Sequence, residues 1–159
     1  IVFKRVDLKT NNLVYPNFMN VTNTFLNTTI ENEFGVKVST IEHLMGALFG
    51  LGIDNALIEI DNDEVPIMDG SAKDFVKIIK NSGLKVLEGK RKFVRIKNKI
   101  ELKTEDGKLI KIKPSNQTLD VKFTLNYEKN PLIKTQTNKI DFINKNLNEI
   151  IDARTFCLY

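Results

Sequence analysis

The chain has 159 residues, 42% hydrophobic and 28% charged, enough for one ordinary domain or two small ones of the globular class. No apolar run approaches the ~20 residues needed to span a bilayer and no secretory signal opens the chain, so stable membrane insertion is not expected. The net charge of +4 and a pI of about 9.1 raise nucleic acid as a partner, but the lysines are scattered and interleaved with acids, so nucleic-acid binding is not expected.

In chain order, Ile1 to Leu8 reads as a strand. Thr24 to Ile30 and Val36 to Val38 read as strands flanking a turn at Asn32–Gly35. Ile41, Leu44, Met45, Leu48 and Phe49 make one apolar helical stripe, ended by Gly50 and Gly52. Asn55 to Ile60 reads as a buried strand, followed by an acidic loop from Asp61 to Gly70. A second helix starts near Ala72, with Phe75, Ile78 and Ile79 inward and Gly83 as its stop. Leu84–Lys92 is the candidate boundary, giving a first lobe over 1–88 and a second over 89–159. Beyond it, Ile100 and Leu102, then Ile110 and Ile112, bracket the hairpin pair Asp106-Gly107. Leu119 to Tyr127 alternates as a half-buried strand, Pro131 begins a loop, and Asp141 to Ala153 reads as a third helix with Ile143, Leu147, Ile150 and Ile151 on one face. Strands precede helices in both halves, which predicts an α+β class. The chain begins inside the apolar run Ile1-Val2-Phe3 without an initiator Met and stops inside another at Tyr159, so it reads as a piece of a longer protein. Its single cysteine, Cys157, can form no intrachain disulfide and fits a reducing compartment.

The stretch Ser39-Thr40-Ile41-Glu42-His43-Leu44-Met45 holds the only histidine. Glu42 and His43 sit ~100° apart on the helix, off the apolar stripe, with the small residues Gly46 and Ala47 one turn on, leaving room for a ligand or another domain. Ser39-x-x-Glu42 also fits a helix capping box, with His43 then a solvent-facing residue of the first turn. The second histidine of an H-E-x-x-H site is absent, and one His cannot hold Zn²⁺, which usually takes three protein ligands in a catalytic site. Val65 to Ala72 reads as a turn feeding a helix, with Asp69 or Ser71 as cap. Arg154 suits a helix C-terminus. Asp61, Asp63 and Glu64 lack calcium-loop spacing and read as a solvated turn.

Together these stretches resemble the UDP-3-O-acyl-N-acetylglucosamine deacetylases, zinc enzymes of the committed step of lipid A synthesis. The matching runs are Val38 to Met45, Gly50-Leu51-Gly52-Ile53-Asp54-Asn55-Ala56 and Pro66 to Ala72, with Phe93-Val94-Arg95-Ile96 and Ala153-Arg154-Thr155-Phe156 further on, in the family's order over nearly the whole chain. The resemblance implies two similar lobes, each a small, mostly antiparallel sheet packed with helices (ribosomal-protein-S5-domain-2-like), the second incomplete here, with an active site between them. His43 matches the zinc-binding histidine and Glu42 the carboxylate that takes a proton from the attacking water. Thr155 matches the threonine that hydrogen-bonds the oxyanion, and Phe156 lies beside it at the sugar or nucleotide. Tyr127 falls where the family tends to carry Phe near the uridine, and Leu26 and Asn27 sit in the strand placed along the substrate. The family's other zinc ligands, in a His-Lys-x-x-x-Asp-type motif, and its acid/base histidine are expected beyond Tyr159. Cys157 stands where many members have Gly, which adopts φ > 0 freely. The resemblance implies a cytoplasmic amidohydrolase of a Gram-negative bacterium acting on a UDP-sugar acyl substrate. The competing readings are a non-catalytic α+β binding module that keeps the fold and a small basic nucleic-acid-binding domain.

Overall fold

The structure, a computed structural model, describes residues 1–116, 119–141 and 147–155. The chain divides into two compact units, Ile1–Glu88 with Leu147–Tyr159, and Gly89–Asn146.

The first unit is built on strand β1, Val2–Arg5, in the middle of a three-stranded sheet. It pairs antiparallel with β2, Leu13–Val14, and parallel with β6, Leu57–Ile60. Phe3 faces Val14 and Ile58 in this register, and both Phe3 and Val14 are fully buried. A second, antiparallel sheet orders β3, Val21–Asn23, then β4, Thr29–Glu31, then β5, Lys37–Val38. Asn32 shapes the turn after β4, its Oδ1 accepting from the Phe34 and Val36 amides, while its Nδ2 donates to the Asn11 and Leu13 carbonyls and ties the two sheets together. Helix α1, Glu42–Gly50, lays Ile41, Leu44 and Leu48 on Phe3, Val14, Ile30 and Val38. Each large apolar side chain so buried contributes about 1.5–3 kcal/mol. Helix α2, Lys73–Ser82, packs Phe75 and Ile79 against this core, and with α3, Leu147–Ile151, it covers Ala47, where Ala47, Val76 and Ile151 form a second cluster.

The second unit contains two hairpins. Strand β7, Ile100–Lys103, pairs with β8, Leu109–Ile112, around Gly107 at φ 86°. Hydrogen bonds from Lys108 and then Thr104 hold the Asp106 carboxyl of that turn down to about 2. Strand β9, Asp120–Tyr127, pairs with β10, Lys134–Asp141. No described residue from 89 to 141 is buried.

Several elements differ from the sequence reading. The strand expected over Thr24 to Ile30 is broken: the Phe25 amide bonds the Asn23 side chain and Leu26 turns to φ 64°, so Leu26 and Asn27 lie in a loop between β3 and β4. Strand β6 is half-exposed, with Leu57 pointing to solvent. On α1 the buried face includes Ala47, which Val76 and Ile151 cover, and leaves Phe49 61% exposed. On α2, Val76 is buried and Ile78 is exposed. Strand β10 was missed because Lys-Thr-Gln-Thr-Asn-Lys has no apolar alternation; Asp141 ends this strand instead of opening a helix. The third helix is described over Leu147–Ile151, and Ile143 lies outside the described residues.

Candidate active site

The chain enters α1 through a strained corner. Ser39 pairs with Glu64 in a parallel bridge and its hydroxyl donates to the Asp63 carbonyl at 2.9 Å. Thr40 then takes φ 56°, an uncommon conformation for a β-branched residue. Its buried hydroxyl donates to Glu64 Oε1 at 2.7 Å and accepts from Asn27 Nδ2 at 3.4 Å. Asn27 Oδ1 in turn accepts from the Thr29 hydroxyl at 3.1 Å. Glu64 is exposed, as the solvated-turn reading expects, and through Thr40 it also anchors the corner.

The capping box is not formed. Helix α1 begins at Glu42 after Ile41, with no side-chain cap, because Ser39 is committed to Asp63. The Glu42 carboxylate instead reaches across to the Leu26–Thr28 loop, where Oε2 accepts the Thr28 amide at 3.0 Å. A bond from a backbone N–H to a charged carboxylate is among the stronger kinds. It fixes Glu42 to the loop that carries Leu26 and Asn27. Glu42 and His43 are both half-buried. One turn on, Gly46 is exposed and a side chain there would meet nothing within 4 Å, so the open space expected beside the two polar heads exists at Gly46. At Ala47 it does not: that residue is fully buried under Ile151 and Val76.

The segment after α3 returns to the loop before α2. Met68 at φ 53° and Gly70 at φ 80° curl this loop. Asp69 Oδ1 accepts from the Ser71 amide at 3.0 Å and the Ser71 hydroxyl at 2.6 Å, and the fully buried Ser71 Oγ accepts from the Lys73 amide at 3.1 Å. Ser71 thus serves the start of α2, though Ala72 is the residue before it. Asp69 Oδ2 takes the Arg154 guanidinium, at 3.3 Å from Nε and 3.1 Å from Nη2. The Ser71 hydroxyl first, and Arg154 after it, lower the Asp69 carboxyl below its ordinary range. The Thr155 amide donates to the Gly70 carbonyl at 2.9 Å. Thr155, expected in the second lobe, thus sits in the first unit, following a helix docked on Ala47, one turn along α1 from His43.

Tyr127 ends β9 in the second unit, opposite Lys134, and lines an open hollow of about 520 Å³ with Asn126 and Pro131. Phe156 and Cys157 lie outside the described residues. Among the described residues no group of three or more His, Cys, Asp or Glu is placed to hold a metal ion.

The family model for UDP-3-O-acyl N-acetylglycosamine deacetylase matches residues 1–159. The chain belongs to the UDP-3-O-acyl-N-acetylglucosamine deacetylase family. Relatives bearing that name include one from Nautilia profundicola, 46% identical over 98% of this chain and 52% of its own length. Others come from Wigglesworthia glossinidia brevipalpis, at 43% over 98% of this chain and 53% of its own, and Pseudoalteromonas atlantica, at 38% over 98% and 51%. The chain spans about half the length of these relatives. The resemblance singled out Glu42, His43 and Thr155; the Glu42–Thr28 bond, the Thr40 hydroxyl's bonds and the link from Asp69 to Arg154 were not anticipated. Thr28 acts through its backbone, and Asp69 and Arg154 lie 85 residues apart, so no local spacing points to either.

Proposed function

We propose that the full-length protein hydrolyses the N-acetyl group of UDP-3-O-acyl-N-acetylglucosamine, releasing acetate, as the committed step of lipid A synthesis in the cytoplasm of a Gram-negative bacterium. The observation that carries this reading is the posture of Glu42. Its carboxylate does not cap its own helix but is pinned by the Thr28 amide, next to the only histidine and beside the open face at Gly46. A zinc ion bound here would supply Lewis acidity that makes water a nucleophile at neutral pH. The donor set here fits that ion in part: a half-buried imidazole at an open first turn is a suitable ligand, and it is one of the three usual in a catalytic zinc site. His43 would hold the metal through a neutral ring nitrogen, with the remaining ligands and the acid/base histidine supplied by sequence outside residues 1–159.

Glu42 has one oxygen engaged by Thr28 and the other available to take a proton from the attacking water. The Thr155 hydroxyl donates to the oxygen that becomes negative as the amide carbonyl is attacked, a role in which one placed donor is worth about 3 kcal/mol. Leu26 and Asn27 line the substrate from the loop that Glu42 holds, and Tyr127 and Phe156 contact its sugar or uridine. The lobes of this reading are the 1–88 and 89–159 stretches, with the segment from Leu147 grouped with the first unit. No nucleic-acid partner and no stable membrane insertion enter it; no helix of the described residues is long and apolar enough to cross a membrane.

Two variants of the full-length protein test the reading. Glu42→Gln keeps its metal by elemental analysis and loses about 10²–10⁴-fold in kcat. His43→Ala loses metal and turnover together. A Glu42→Gln enzyme with near-normal kcat and a lowered melting temperature would make Glu42 a structural residue and sink the assignment.

A further inference from the structure

Two neighbouring residues of the last described segment are gripped by two neighbouring residues of the loop before α2. Arg154 is held by Asp69 Oδ2 through Nε and Nη2, and the Thr155 amide is held by the Gly70 carbonyl. The grip has a rigid base. Asp69 keeps Oδ2 for Arg154 because Oδ1 is taken twice by Ser71, a fully buried residue that also receives the Lys73 amide at the start of α2. Gly70 sits at φ 80°, and a Cβ built on it would lie 3.5 Å from Thr155 Cγ2, so the threonine side chain rests over the bare glycine backbone. Fixing two successive residues fixes the position of the peptide and its rotation. That sets the direction in which the Thr155 side chain leaves the chain.

We propose that Asp69 is a positioning residue for the Thr155 hydroxyl, acting through Arg154 and in concert with the Gly70 carbonyl. This rests on the reading of Thr155 as the oxyanion donor. Arg154 is 66% exposed, and exposed ion pairs contribute little to global stability. The consequence of the pair is therefore orientation, and orientation matters because an oxyanion donor acts only within hydrogen-bond range of where charge develops. A displacement of about 1 Å can cost on the order of 10²-fold in rate.

The test is a double-mutant cycle in the full-length enzyme with Asp69→Asn, Arg154→Met and Thr155→Ala, each measured for kcat, KM, melting temperature and, for the first two, amide exchange at Thr155. Thr155→Ala lowers kcat about 10²-fold. Asp69→Asn and Arg154→Met each lower kcat about tenfold, leave KM within about twofold, and speed Thr155 amide exchange. In the Thr155→Ala background either change shifts kcat by less than about twofold, since there is no hydroxyl left to aim. Arg154→Met approaches the pair from its exposed side and leaves the Ser71 contacts alone, so it decides the matter if Asp69→Asn folds poorly. Equal losses with and without the Thr155 hydroxyl, or an unchanged kcat for Arg154→Met, overturn the positioning role. An unchanged kcat for Thr155→Ala overturns the oxyanion reading itself.

Discussion

Leu26 is 89% exposed and holds φ 64°, two features that a structural core residue does not combine. The left-handed conformation costs a non-glycine residue about 1–2 kcal/mol, and neither burial nor a sheet ladder repays it at this position. Thr40 shares the strain, and Asn27 joins the two through its bond to the Thr40 hydroxyl. Strain of this kind persists where surrounding contacts over-determine it; here the Glu42 carboxylate on the Thr28 amide does so. Leu26→Gly in the full-length enzyme separates backbone shape from side-chain contact. Relief of the strain, less glycine's added freedom in the unfolded chain, leaves the melting temperature equal to or slightly above the parent's. On the proposed substrate contact, KM rises several-fold. An unchanged KM removes Leu26 from the substrate, and a melting temperature several degrees lower removes the strain account.

Helix α3, described over Leu147–Ile151, is held to the first unit by packing of its side chains. It exists because Ile151 fills the space over Ala47 beside Val76. Ile151→Ala removes that anchor. An Ile→Ala change at a buried site costs about 2–5 kcal/mol, and the cost falls on the segment that Ile151 anchors. Amide exchange in 147–155 therefore rises while protection in β1 and β6 stays as it was; a uniform loss across both regions would show that α3 is part of the central core. Elements differ in how far local pattern reveals them. Helix α1 and the β7–β8 hairpin were legible because apolar period and the Asp106-Gly107 turn agree. The two-residue β2 is too short for a period, β10 is polar on both faces, and the Thr24–Ile30 run has strand-like residues overruled by the Asn23 side chain and Leu26. Glu42 and His43 were separable from a capping box only by family resemblance. What decided the geometry was the pairing of Ser39 with Asp63, a long-range contact with no trace in spacing.

The two units differ in what holds them. The first has a core around Phe3, Ile30 and Val38, all at most 1% exposed. The second, as described, consists of paired strands whose apolar residues, Leu102 and Ile110 among them, face solvent. Two-stranded hairpins are marginal alone in water. A polypeptide of residues 1–159 should show amide exchange near unfolded rates in β7 and β8 alongside strong protection in β1 and β4. Comparable protection in all four would reveal packing of the second unit absent from this structure. The first unit also returns to itself: its contacts skip from Glu88 to Leu147. During synthesis at roughly 5–20 residues per second, the sheet under α1 has every strand once Ile60 has left the ribosome, whereas the Asp69–Arg154 grip waits several seconds more for its second half. The corner that holds Glu42 and the segment that carries Thr155 are thus born at different times. In the interval Ala47 lacks the cover of Ile151, and the Gly70 carbonyl lacks the Thr155 amide.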